Sequence, residues 1–428
     1  MKFIPILIMI LLFALGVPIV FSMLIAVMPY LIFIDQSVQP HLILQRMVSS
    51  IESTSTWAIP FFIMAGSIMT YSGISRRLMN LAEGLVGHLP GGLAQVNVLL
   101  STLMGGISGS AAADAATECK ILVPEMTRHG YDEPFSAAVT AASSLITPVI
   151  PPGVTLIIYA CVANVSIGKM FVAGYIPGII MCIAMMVLVH ITSKKHNYKP
   201  SREKIASGAE LWKLVKDASW ALLLPFGLIL AIRFGVCTAT EGGALCAVYS
   251  FIVGAFVYKE LKPEHIWPII KDFVCGTATV VILLCAANAI SWYMSYSGVT
   301  KVITNAIFSF EMSKGLFLFM AIMLFLVLGM FIEGGAIMIM IVPILLGPAV
   351  GLGVDPVLFG IIMVMMSAIG ALTPPFGIIL YLVAPLMKLD VMTVAKACMP
   401  FIILLIALVF LFAYVPGIVT FIPNLVFG

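Results

Sequence analysis

Two carboxylic acids lie where a charge is hardest to keep. Glu333 has 18 uncharged residues before it and 21 after it. Asp114 closes the stretch GGISGSAAAD (105–114) inside a long apolar segment. Ionisable side chains in such settings point to the handling of ions or protons. The plainer alternatives are a satisfied structural carboxylate and, for Asp114, a partner for a helix dipole. Two further stretches carry a different chemistry: TPVIPPG (147–153) and GALTPPFG (370–377) interrupt apolar runs near their midpoints. Proline supplies no N–H and blocks the carbonyl four residues back, so each break frees backbone oxygens. Those carbonyls and nearby Ser and Thr hydroxyls are hard oxygen ligands suited to Na⁺, and the half-helix N-termini suit an anionic group. Ser144 and Ser367 each stand eight residues before the second Pro of their break. This match marks them as candidate ion ligands.

Other chemistries find little support. The six His show no His-x-x-x-His spacing, and the eight Cys form no Cys-x-x-Cys pair, so no metal centre is expected. Buried Cys commonly serves as a small hydrophobe. No Gly-x-x-x-x-Gly-Lys loop is present, so the chain carries no ATPase of its own. No nucleophile–base dyad falls in the dry segments, which argues against an intramembrane enzyme. No ring of like side chains suggests a channel. Glu241, in TEGGA near a helix start, reads as a cap.

The elements that position these residues must be membrane helices. The chain is 62% hydrophobic and 10% charged, with a mean hydropathy of +1.16, where soluble domains carry about 25% charged residues. Charge-free runs recur at 3–34, 134–168, 171–193, 315–332, 356–387 and 397–428. No period-2 alternation runs through them, which argues against an outer-membrane barrel. The backbone must satisfy itself within lipid, so the spans are helical. The first run shows no small-residue cleavage site and is expected to be retained. It is either one tilted helix or two short ones meeting near Gly16 and Pro18.

The chain also repeats itself. MTYSGI (69–74) returns as MSYSGV (294–299), and Asp114 stands to Val123-Pro124 as Glu333 stands to Val342-Pro343. An acid before Pro follows in each half (Glu133-Pro134, Asp355-Pro356), and then the Pro-Pro break. Duplicated, Gly/Pro-broken segments are a feature of secondary transporters. Whether the halves are inverted is left open by the sequence. The first half covers 1–192 and the second 218–428. Between them lies 193–217, whose seven Lys and Arg place it in the cytoplasm.

Each half is expected to hold an amphipathic arm, a re-entrant hairpin and a broken helix. The arms follow Gly73 and Gly298, glycines placed where a helix turns from crossing the membrane to lying along it. Hairpin 1 spans about 93–127, with its turn at 108–110 and Ser110 capping the returning helix. Hairpin 2 spans about 315–348, with Gly329 and Glu333 near its middle. The broken helices are 134–166 and 356–386. The segments 171–192, 218–257 and 276–297 read as ordinary apolar spans for a scaffold, and a C-terminal span closes the chain.

At these residues the sequence resembles the large membrane subunit of the tripartite ATP-independent periplasmic (TRAP) transporters. The resemblance rests on IPFFIMAGSIM with SGISRRL, GHLPGGLA, GGISGSAAADA, ILVPEMTRHGYD, the TPVIPPG break and GVDPVLFGIIMVMMSAIGALTPP. It implies an all-α polytopic membrane protein, a two-repeat elevator-type secondary transporter with two re-entrant hairpins and two broken helices. It implies import of an organic acid (sialic acid, a C4-dicarboxylate or a similar carboxylate) by Na⁺ symport across the bacterial inner membrane, with no cofactor besides the coupling ion. It implies two protein partners, a small four-helix membrane subunit and a periplasmic substrate-binding protein, and no nucleic acid. Carried over residue by residue, it nominates Ser108, Gly109, Ser110, Ser144, Thr147, Pro148, Gly329, Ser367, Gly370 and Thr373 for Na⁺ or substrate. Asp114 and Glu333 join them from their placement, and Gly73 and Gly298 are the hinge candidates. The sequence departs from the family at Glu333, where many members have Asp. A competing reading couples transport to H⁺ through Asp114 and Glu333. No Arg lies inside either break, so the substrate itself is not named by the sequence.

Overall fold

A computed structural model describes residues 2–34, 39, 41–299, 301–302, 305 and 312–427, with no side-chain description at Ala14, Ser50, Ile107 and Ser108. The described residues form helices and connecting turns, with no strand. Among the described residues, six helices are long and apolar enough to cross a bilayer: Ile167–His196, Gly208–Arg233, Ala239–Val257, Pro263–Tyr296, Gly334–Gly351 and Val391–Tyr414. The chain is an all-α multi-pass membrane protein. Its N-terminal run is two short helices, Ile4–Ala14 and Ile19–Phe33. They part where Gly16 takes φ +82° and Pro18 caps the second. The last apolar run likewise divides, into Val391–Tyr414 and Gly417–Phe427.

Each hairpin enters and leaves on one side. The first comprises Gly92–Ser108 and Ala111–Arg128. Gly109 turns it at φ +60°, and the Ser110 hydroxyl accepts from the Ala113 N–H to cap the returning helix. Its two ends meet neighbouring linker residues: the Gly91 N–H donates to the Tyr198 carbonyl, and the Tyr131 hydroxyl to that of Lys199. The second comprises Lys314–Gly329 and Gly334–Gly351. Lys314 Nζ donates to the Gly353 carbonyl at 2.8 Å and so closes its base.

The first broken helix runs Glu133–Ser143, a short 3₁₀ turn Ser144–Ile146, the Pro-rich break, then Val154–Ala163. The second runs Pro356–Gly370 and Ile378–Leu386. They lie antiparallel. Glu133–Ser143 packs against Ile378–Leu386 and Val391–Tyr414, while Val154–Ala163 packs against Pro356–Gly370. The Tyr159 hydroxyl donates to the Pro356 carbonyl, which ties the end of one broken helix to the start of the other. Hairpin 1 therefore opens toward the basic linker and hairpin 2 toward the opposite side. The two halves are inverted, the point that the repeat alone left open.

The remaining helices form a framework around this assembly. Ala58–Tyr71 packs on Ala239–Ile252 and on Ile266–Tyr296. Close approach is possible because Gly243 lies against Phe61 and Phe62, where a Cβ would stand 3.1 Å from the Phe61 Cβ. The apolar segment 218–257 is thus two helices, Gly208–Arg233 and one starting at Ala239. The span read at 276–297 starts earlier, at Ile266. Its first turns include Lys271 and Asp272, which an apolar-run reading excludes. Glu241 accepts from the Thr238 N–H and closes a capping box, as its local pattern suggests.

The first arm helix, Ile74–Val86, leaves Ala58–Tyr71 at 70°. Gly73 makes the turn at φ +75°, and Arg77 holds it by donating to the Gly73 carbonyl and to Glu260 Oε1 at 2.8 Å. The Arg77 guanidinium also lies over the Tyr258 ring, 3.7 Å from its centroid. Gly298 has the matching conformation, φ +71°. The arm expected beyond it falls largely outside the described residues, including Ile303 and Ile307.

Candidate functional site

The breaks converge on one cavity of about 610 Å³. One wall belongs to the framework: Ile63, Gly66, Ser67 and Thr70 of Ala58–Tyr71, and Asp272, Gly276 and Thr279 of Ile266–Tyr296. The other wall belongs to the hairpins and broken helices. Four of its helices begin at the cavity, at Ala111, Val154, Gly334 and Ile378. Each starts there because a Gly, Ser or Pro break ended the helix before it. A helix N-terminus carries unpaired N–H groups and roughly half a positive charge. The acidic side chains at the cavity are Asp114, Asp272 and Glu333, and no Lys, Arg or His is among its described lining residues. The cavity reaches Thr70, at the C-terminal end of Ala58–Tyr71, and Asp272, in the early turns of Ile266–Tyr296.

The cavity gathers six of the candidate residues: Gly109, Ser110, Asp114, Pro148, Glu333 and Ser367. Glu333 is exposed to it and takes the N-cap position of Gly334–Gly351 with no side-chain capping bond. Ser144, Thr147, Gly329, Gly370 and Thr373 do not line it. Ser144 and Ser367 are buried in equivalent poses, each hydroxyl donating at 2.9 Å to the carbonyl three residues back, Ala141 and Val364. Their oxygen lone pairs stay available to a cation. The Thr373 hydroxyl donates to the Ile369 carbonyl at 2.7 Å. Ser108 ends the helix Gly92–Ser108, and its side chain lies outside the described residues.

The hairpins reach the breaks by close backbone contact. A Cβ on Gly109 would stand 3.0 Å from both the Pro152 carbonyl oxygen and the Val154 nitrogen. A Cβ on Gly334 would stand 2.9 Å from the Ser367 Oγ. Each tip therefore sits on the break of its own half, and small residues there are a steric requirement.

Residues 6–418 match the family described as "Tripartite ATP-independent periplasmic transporter, DctM component". The chain belongs to this family. The "Sialic acid TRAP transporter large permease protein SiaM" of Vibrio cholerae is 34% identical over 418 residues, covering 98% of this chain and 97% of its own. The "C4-dicarboxylate TRAP transporter large permease protein DctM" of Rhodobacter capsulatus is 30% identical over 424 residues, with 96% of each chain covered. The fold is similar to that of the Alcanivorax borkumensis YdaH transporter, a crystal structure described as having an unusual topology. The TM-score is 0.64 at 13% identity, over 88% of each chain.

The structure of this chain adds residues that the sequence reading passed over. Ser101 on hairpin 1 donates to Glu118 Oε2 at 2.7 Å, and Thr147 donates to Asp114 Oδ2 at 2.6 Å. All four side chains are buried. Asn97 is pinned between Thr140 at 2.6 Å and Ser143 at 2.9 Å, which fixes hairpin 1 against the first broken helix. Asp272 lines the cavity from the framework side. A signal for Glu118 existed in its spacing: it lies one helical turn after Asp114 and shares its face. No local signal marked Asp272, because Lys271 beside it makes the pair read as a solvated helix start.

Proposed function

We propose that this chain is the membrane-embedded permease of a three-part importer. It takes an organic acid from a periplasmic binding protein and carries it across the bacterial inner membrane by Na⁺ symport, together with a small four-helix membrane subunit. The observation that carries this reading is the charge pattern of the cavity. Four helix N-termini offer N–H groups to an anion, and no basic side chain is needed for them to do so. Yet three carboxyl side chains share the same space, so an incoming carboxylate meets like charge at short range. Cations must enter with it to restore neutrality, and this links anion uptake to Na⁺. The hydroxyls of Ser144 and Ser367 and the carbonyls freed around them supply oxygen ligands in the two broken helices, Ser367 at the cavity and Ser144 behind its lining.

The two relatives described above are named for carboxylates, sialic acid and C4-dicarboxylates, and another, 36% identical over 373 residues, is named for isethionate, a sulfonate. At comparable identity to each, this chain is assigned the class and not the individual acid. The mechanism proposed is an elevator. The hairpins and broken helices form one packed body, and the cavity lies on its seam with the framework. Sliding that body along the seam exposes the same site to each side in turn, with flexing at Gly73 and Gly298.

The test is uptake by proteoliposomes containing this chain, its small subunit and its binding protein, using labelled sialic acid, C4-dicarboxylates and other carboxylates. Uptake of one acid that requires both the binding protein and an inward Na⁺ gradient is expected. Full uptake by the lone chain, or uptake indifferent to Na⁺, overturns the reading.

A further inference from the structure

The seam between the framework and the hairpin body holds a second cavity, of about 280 Å³. Its framework wall is Ser49 and Ser53, at the end of His41–Glu52 and just beyond it, with Asn288 and Ser291 of Ile266–Tyr296. These two helices pack on one another. The other wall is Cys161, Val162 and Asn164, at the end of Val154–Ala163, and Pro343 of Gly334–Gly351. No charged side chain is among its described lining residues.

The two cavities lie in series. On Ile266–Tyr296, Asp272, Gly276, Thr279 and Val280 line the first, and Leu284, Asn288 and Ser291 line the second. Steps of three and four residues keep all of these on one helix face. Val154–Ala163 repeats the pattern: Thr155 and Ile158 line the first cavity, Cys161 and Val162 the second. Thr155 to Val162 is seven residues and Gly276 to Asn288 is twelve, which at ~1.5 Å per residue separates the cavities by roughly 10–18 Å. Ile158, Val280 and Leu284 supply the apolar stretch between them.

The second cavity is the farther one from the basic linker. Tyr258, ahead of Ile266–Tyr296, donates to the carbonyl of Asp217 at the linker's end. Tyr159 donates to the Pro356 carbonyl at the base of hairpin 2, and residues 161–164 lie past it. Ser49, Ser53 and Asn164 are exposed there.

The two cavities differ in charge. At the first, the four helix N-termini belong to the hairpin body and Asp272 to the framework. At the second, the hairpin body presents the C-terminus of Val154–Ala163, closed by Asn164 at φ 52°, and a helix C-terminus carries roughly half a negative charge. The framework there offers neutral groups. The Arg46 carbonyl accepts from Asn288 Nδ2 at 3.0 Å and from the Ser49 hydroxyl at 2.8 Å, which fixes both side chains at the wall. An amide keeps a second N–H and an oxygen, and a hydroxyl keeps its lone pairs. In this conformation an anion is drawn to the first cavity and not to the second. Sliding the hairpin body away from the linker, by the distance between the cavities, brings its helix N-termini opposite Asn288 and Ser291.

We propose that Asn288, Ser291, Ser49 and Ser53 form the framework half of an outer substrate station. They hydrogen-bond the uncharged polar body of the organic acid as it leaves the binding protein, while the helix N-termini of the hairpin body hold its acidic group. Asp272 has the corresponding place at the inner station, where its charge opposes the anion and favours release. This rests on the transport and elevator reading above.

The experiment uses the assembled three-part system in vesicles under a fixed Na⁺ gradient, with the acid that the uptake test identifies. Asn288→Asp and Ser291→Asp each place an acid in the outer station. The half-saturating concentration of loaded binding protein should rise about tenfold or more, the effect of a like charge at short range. The half-saturating Na⁺ concentration and the melting temperature should hold. Unchanged half-saturation by substrate in both variants overturns the proposal. If both variants lose the fold, Ser291→Cys decides. A membrane-impermeant maleimide added on the binding-protein side should label that cysteine, read by mass spectrometry. Loaded binding protein with Na⁺ should slow the labelling several-fold relative to unloaded binding protein. No labelling from that side, or equal rates, overturns the proposal. Absence of all uptake by the unaltered assembly sinks the transport reading and this station with it, whereas uptake with unchanged half-saturation sinks the station alone.

Discussion

Gly329 of hairpin 2 and Gly370 of the second broken helix meet backbone to backbone. A Cβ on Gly370 would stand 2.6 Å from the Gly329 Cα and 2.7 Å from the Leu326 carbonyl oxygen. The contact brings the end of one helix onto the break of another with no side chain between them. Gly370→Ala must push the hairpin away, and backbone on the far side cannot give. A loss of about 1–3 kcal/mol is expected from the overpacking, read as a lower melting temperature in detergent. Gly227→Ala is the control. There a Cβ meets only Leu223 at 3.9 Å, and the helix should be unharmed or slightly firmer.

Ser144→Ala and Ser367→Ala test the Na⁺ ligands. Both hydroxyls already bond within their own helix, so removing them leaves the fold intact. If their lone pairs face Na⁺, each loss costs ~1–3 kcal/mol of ion binding. The half-saturating Na⁺ concentration for uptake should rise while the melting temperature holds. Unchanged Na⁺ dependence in both variants would remove these residues from the ion sites.

Sliding of the hairpin body can be stopped at one point. A Cβ on Gly106 would lie 3.0 Å from the Pro225 Cβ of Gly208–Arg233, one of the places where hairpin 1 touches the framework. A Gly106→Cys/Pro225→Cys pair is close to the separation that a disulfide bridges, about 3.5–4.5 Å between Cβ atoms. Oxidation should arrest uptake and reduction restore it. A cross-link confirmed to form, with uptake still at full rate, would end the elevator assignment.

The linker contact should loosen in alkali. Tyr131 and Tyr198 stack with ring centroids 4.6 Å apart, and the Tyr198 hydroxyl donates to Asp132. Burial pushes both phenols from 10.0 up to about 12, with Asp132 adding to the effect on Tyr198. The native state thus favours the neutral phenol. Its contribution to stability is complete below pH 10, where the unfolded chain keeps the proton, and is lost as pH rises toward 12. Spectrophotometric titration should show these two tyrosines among the late-ionising ones. Tyr198→Phe should remove one and reduce the fall in melting temperature between pH 10 and 12.

The sequence alone determined the parts. Gly109, Ser110 and the Pro-Pro pairs end and restart helices through properties of their own backbone, so the hairpin turn and both broken helices were legible from residue types. The matched positions of Ser144 and Ser367 were legible too, because the repeat preserves spacing. Only the tertiary structure decided what those parts face. Inversion of the halves depends on Glu133–Ser143 meeting Ile378–Leu386 while Val154–Ala163 meets Pro356–Gly370, the first a contact between residues more than two hundred positions apart. Glu118, in Thr-Glu-Cys-Lys beside Lys120, reads as part of a solvated polar face. It is buried because Gly92–Ser108 folds back over it and donates Ser101. Asp272 reads as a helix start, yet it lines the cavity because Ile266–Tyr296 runs along the seam. Backbone breaks are local and can be read one residue at a time. The burial and pairing of a charge belong to whichever surface covers it, and that surface comes from elsewhere in the chain.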